Sequence, residues 1–111
     1  MRLTSREDTM QVDIRARQIE IDESLRAYIE RRLRFALGRF GERIGMVTAR
    51  FENANGARGG VDKQCRINVG LRPSGNVIVE DVDADLRTVV DRTSERVGRA
   101  VSRDLKRRRA P

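Results

Sequence analysis

The sequence predicts an α+β domain in the order β-α-β-β-β-α, a four-stranded, mostly antiparallel sheet with two helices packed on one face. Three observations predict it. Apolar and polar residues alternate with period two in four separate stretches, the pattern of half-buried strands. Two other stretches carry apolar residues at three- and four-residue steps, the pattern of amphipathic helices. The strands alternate rather than run wholly apolar, so one sheet face is covered and the other is open to solvent. The chain has 111 residues, the size of one domain with a modest core.

Residues 1–9, MRLTSREDT, are polar and without periodicity, and read as a flexible N-terminal extension to a single folded domain over 10–109. In 10–17, Val12, Ile14 and Ala16 alternate with Gln11, Asp13, Arg15 and Arg17, which predicts the first strand. Asp22 then offers a helix N-cap, with Glu23 in the first turn against the positive helix end. Leu25, Ile29, Leu33, Ala36, Leu37 and Phe40 form that helix's inner face; Arg31 and Arg34 project away, and Gly38 and Gly41 loosen its end. The second strand is predicted over 46–52, with Val47, Ala49 and Phe51 inward. A Gly-rich loop over 53–63 follows, carrying Arg58 and Lys63. The third strand runs over 64–72, with Cys65, Ile67, Val69 and Leu71 inward; residues 73–76 make a tight turn into a fourth strand over 77–82. The open sheet face is expected to carry Arg15, Arg17, Arg50 and Arg66. Asp81, Asp83 and Asp85 crowd the start of the last helix, where carboxylates suit the dipole, and this is preferred to a metal site.

The last helix, 86–109, organises the rest. Leu86, Val89, Val90, Thr93, Val97, Val101 and Leu105 make its apolar stripe. Arg92, Arg96, Arg99, Arg103, Lys106 and Arg107 recur at the same steps, roughly 130° round the helix. One face can therefore dock on a core while another presents a row of cations. A charge run is usually a solvated face. Here the whole chain is also basic, with 24 Lys+Arg against 17 Asp+Glu and a net charge of +7. That balance suits a polyanionic partner.

Absences narrow the chemistry. The chain has no His, which removes His-based acid–base catalysis and His-containing metal sites. Its one cysteine, Cys65, forms neither an intrachain disulfide nor a zinc site, and reads as a buried structural thiol. Neither GxxxxGK[ST] nor GxGxxG occurs. The loop 55–60 lacks a following helix N-terminus and is a weak anion site. Four aromatics make a poor base-stacking platform, so nucleic acid would be met through phosphates and shape. No enzyme, cofactor, metal or small-molecule substrate is expected. Without a signal-peptide centre or membrane span, a cytoplasmic location is expected.

Several runs in this order resemble the ribosome hibernation-promoting factor and ribosome-associated inhibitor family, also called sigma-factor modulation proteins. Met10-Gln11-Val12-Asp13-Ile14-Arg15 is similar to its first strand. Ile19-Glu20-Ile21-Asp22, then Leu25-Arg26-Ala27-Tyr28, resembles its entry into the first helix. Arg58-Gly59-Gly60-Val61-Asp62-Lys63-Gln64-Cys65-Arg66 resembles the loop and third strand of one branch. Asp83-Ala84-Asp85-Leu86, Val90-Asp91 and the basic helix resemble its end, so the likeness spans 10–109. The family often has Tyr where this chain has Arg87.

The resemblance implies docking on the small ribosomal subunit, in the channel used by messenger and transfer RNA, with translation blocked and idle ribosomes preserved. The rRNA-facing positions of the last helix would fall on Arg96, Arg99, Arg103 and Arg107. Arg92, Lys106, Arg31, Arg34, Arg58 and Lys63 complete the expected rRNA-binding set. The chain would be a short form, without the C-terminal domain by which long members pair ribosomes. Two alternatives stay open. One is a general structured-RNA binder, since the topology is similar to double-stranded-RNA-binding domains with an added strand. The other is a protein-interaction regulator of the sigma-modulation type.

Overall fold

The computed structural model describes residues 10–55 and 61–109. The elements are β1 (Gln11–Arg17), α1 (Glu23–Leu37), a 3₁₀ segment (Gly38–Arg43), β2 (Ile44–Asn55), β3 (Val61–Leu71), β4 (Asn76–Asp83) and α2 (Leu86–Arg109). They form one sheet in the order β1-β2-β3-β4. β2–β3 and β3–β4 are antiparallel, while β1 and β2 are parallel. A parallel pair needs a long crossover, and α1 supplies it.

The registers put whole rows of side chains on each face. Val12, Val47, Val69 and Val77 line up on the inner face, and Ile14, Ala49, Ile67 and Val79 form the next row. α2 packs on this face against β3 and β4, and α1 packs against α2. Ile29, Leu33 and Leu37 of α1 meet Val89, Val90, Val97 and Val101 of α2 in one core with Phe51, Cys65 and Ile67. Each fully buried Val, Leu or Ile contributes about 1.5–3 kcal/mol relative to exposure. The helices cross closely at Gly98, where a Cβ would lie 3.1 Å from the Ala36 carbonyl oxygen.

Local signals hold at the predicted places. Leu25 N donates to the Asp22 carboxylate (2.8 Å), so Asp22 caps α1. The chain breaks at Gly41, with φ 57, whereas Gly38 keeps helical angles. Leu71 N donates to Gly75 O (2.9 Å) across the β3–β4 turn, and Gly75 takes φ 106. Strands β2 and β3 outrun the predicted alternation. Their ladder continues through Asn53–Lys63 and Ala54–Asp62, because backbone pairing does not require apolar side chains. Of the predicted loop over 53–63, residues 53–55 and 61–63 are therefore strand, and 56–60 lie outside the described residues, as do 1–9 and 110–111.

Candidate nucleic-acid interface

The cation row of α2 divides in two. Arg92 places Nε 2.6 Å from Asp81 Oδ2 and Nη1 3.4 Å from Asp83 Oδ1, and Nη2 donates to Val82 O (2.9 Å). Arg96 donates to Glu80 O (3.2 Å) and lies 3.4 Å from Asp81. Both arginines tie the first half of α2 to β4. The hydrogen bond from Arg92 holds the Asp81 carboxyl below the ordinary carboxylate range, and the same bond raises Arg92.

This corrects the expected role of the acids. Only Asp85 caps α2, accepting from Thr88 N (2.8 Å) and Thr88 Oγ1 (2.7 Å). Asp81 and Asp83 continue the inward parity of Val77 and Val79 along β4, so both reach Arg92, while Asp83 also stays at the helix start, where its Oδ2 accepts from Asp85 N (2.8 Å).

The second half of α2 keeps its charge outward. Arg99 is exposed and lies 3.5 Å from Glu95 one turn earlier. Arg103 and Lys106 are exposed and have no ion pair among the described residues. Arg107 lies 2.8 Å and Arg108 2.7 Å from Asp104, whose carboxyl is held below its ordinary range by Arg108 first. On α1, Arg31 is exposed beside the Tyr28 ring, and Arg34 donates to Met10 O (3.4 Å). Lys63 donates to Asn53 Oδ1 (3.1 Å) on the β2–β3 ladder, apart from the helical row. Arg58 lies outside the described residues. The structure thus brings Arg99, Arg103, Lys106 and Arg107 together as one outward stripe, with Arg31 and Arg34 on the neighbouring helix.

Sequence reasoning passed over two features here. Tyr28 Oη donates to Asp91, which also lies 3.0 Å from Arg32 Nε, and Arg87 stacks over the Tyr28 ring at 4.5 Å. That hydrogen bond to Asp91 is the first cause of the raised Tyr28 pKa. Phe35 is 81% exposed on α1; its position off the stripe at 25, 29, 33, 36 and 37 was the available signal. On the open sheet face, Arg15, Arg50, Arg66 and Glu80 stand in one row. Arg15 is paired with Asp13 (2.7 Å), while Arg50 and Arg66 line a polar depression with Thr48 and Asn68.

Residues 12–109 match the family described as sigma 54 modulation protein / S30EA ribosomal protein. The chain belongs to this family. Among solved structures, it is similar to a ribosomal subunit interface protein from Coxiella burnetii, at 18% identity and TM-score 0.75, over 87% of this chain and 99% of that one. It is also similar to the N-terminal domain of Thermus thermophilus Protein Y, at 28% identity and TM-score 0.65, over 85% of this chain and 98% of that one. A comparison with curated proteins returned no match. At the start of α2 of this S30EA-family chain, the Arg87 guanidinium stacks on the Tyr28 ring. No helix among the described residues is long and apolar enough to cross a membrane.

Proposed function

We propose that this S30EA-family protein is a non-enzymatic, cytoplasmic translation inhibitor that preserves idle ribosomes. Its single domain, 10–109, docks on the small ribosomal subunit and occludes the messenger and transfer RNA channel. The observation that carries this reading is the outward stripe on the second half of α2, where Arg103 and Lys106 have no acidic partner among the described residues. Ordered cations on a rigid helix meet phosphates by charge and position, without reading sequence. Arg31 and Arg34 widen that surface from α1. Occlusion needs no bond to be made or broken, which accords with a chain that has no His.

Cosedimentation with small subunits, large subunits and whole ribosomes across a salt series tests it. The expected result is selective binding to small subunits and whole ribosomes. With about five phosphate contacts, log affinity falls against log salt with a slope of about −4. Equal binding to large subunits and to a plain RNA duplex would reduce the protein to a general RNA binder. Binding insensitive to salt and to RNase would favour a protein-interaction regulator.

A further inference from the structure

We propose that Phe35 is a stacking platform for one unpaired RNA base, flanked by arginines that hold the neighbouring phosphates; this rests on the RNA-binding reading above. The core does not account for Phe35. The inner face of α1 is complete without it, with Ile29, Leu33 and Leu37 buried and Ala36 set against Gly98. Its 81% exposure far exceeds that of the other large exposed apolar residues among those described, Met46, Ile78 and Val82, at 41–50%. Water contact on a phenyl ring is unfavourable, and a partner that covers it gains that area.

The surroundings of the ring select the partner. Phe35 stands as a ridge between two depressions. One, of about 470 Å³, lies between the helices beside Arg39 and Arg99, with its floor at the Ala36–Gly98 crossing. The other, of about 490 Å³, lies along α1 beside Arg31 and Arg34. Two acids border them. Glu95 lies 3.5 Å from Arg99, and Glu30 lines the second depression with Arg31 and with Arg34, which donates to Met10 O. Arg32, at the edge of the first depression, is drawn to Asp91 instead. An apolar protein side chain would use the ring and strand the arginines. A nucleotide uses both, since every base has a flat face and each phosphate carries a negative charge. The stripe of Arg99 and Arg103 continues this surface along α2, so the same strand of RNA spans the ring and the helix. Stacking on a single ring tolerates any base, so no sequence preference follows from it.

The chain contains no Trp, so Phe35→Trp places a lone indole at the ridge. Phe35→Trp, Phe35→Leu and Phe35→Ala are measured against purified small subunits across a salt series, and against a single-stranded oligoadenylate. Phe35→Trp is expected to keep affinity and to be quenched by both probes. Phe35→Ala and Phe35→Leu are expected to weaken small-subunit binding by roughly 5- to 150-fold. Their salt slope stays that of the parent, because the ring carries no charge. Wild-type affinity in Phe35→Leu, or an unquenched indole in the bound complex, overturns the platform. If Phe35→Ala binds normally while reversal of Arg99 and Arg103 abolishes binding, the platform fails and the phosphate reading stands. If the parent itself does not bind small subunits, the phosphate reading fails and takes the platform with it. Thermal melts of the same variants are expected to match the parent, since the site lies outside the core.

Discussion

The first and second halves of α2 carry the same cation at the same helical spacing and use it differently. Arg92 and Arg96 direct their guanidinium groups to the carboxylates and carbonyls of β4. Arg99, Arg103 and Lys106 leave theirs in solvent or one turn away on their own helix. Periodicity reports the face a residue occupies, but the neighbouring strand decides whether that face is free. β4 brings acids alongside the first half of α2, whereas no acid pairs with Arg103 or Lys106 among the described residues further on. The cations of the first half therefore tie α2 to β4, and those of the second half stay outward.

The comparison breaks most sharply under charge reversal. Arg99→Glu with Arg103→Glu is expected to abolish cosedimentation with small subunits while the thermal midpoint stays near that of the parent, since surface changes usually stay within about 0.5 kcal/mol. Arg92→Glu is expected to do the opposite, lowering the melting temperature before it touches binding at low temperature. Gly98→Leu, at the junction of the halves, should cost about 1–3 kcal/mol by overpacking against Ala36, read from urea midpoints.

A subtler test is pH. The Asp81 carboxyl is lowered from 3.8, so its contribution to stability is full above that value and is lost as pH falls through the lower, folded-state pKa. Melting temperatures of the parent should therefore fall on acidification below pH 3.8. Asp81→Asn should start lower and fall less steeply, with Asp85 and Asp104 supplying the dependence that remains. The smallest effect belongs to Lys106→Ala. It should leave stability unchanged and reduce the steepness of the salt dependence by about 0.7–0.9, the loss of one phosphate contact.

The element order, both helix stripes and the Asp22 cap were legible because each is a local pattern. The parallel pairing of β1 with β2 was not, since alternation sets which side chains face inward and says nothing of strand direction. The ends of β2 and β3 escaped for a related reason: Asn53 and Lys63 pair through their backbones with no apolar signal to mark them. Within the site, Arg99, Arg103, Lys106 and Arg107 stand where the helical wheel put them. The tethering of Arg92 and Arg96 was within reach. Continuing the inward parity of Val77 and Val79 through Asp81 would have set that carboxylate opposite Cys65, beneath α2. Lys63 sits away from the helical stripe because its strand turns it toward Asn53.

Cys65 lies at the centre of this arrangement, fully buried on β3, with its thiol pushed up to about 12, mainly by burial. It is the only cysteine in the chain. A thiol reagent reaches it only when α2 lifts from the sheet, so the labelling rate under native conditions times that opening. The protein thus carries its own clock for the opening of α2. Variants that loosen the first half of α2 should run it faster, and variants confined to the outward stripe should leave it unchanged.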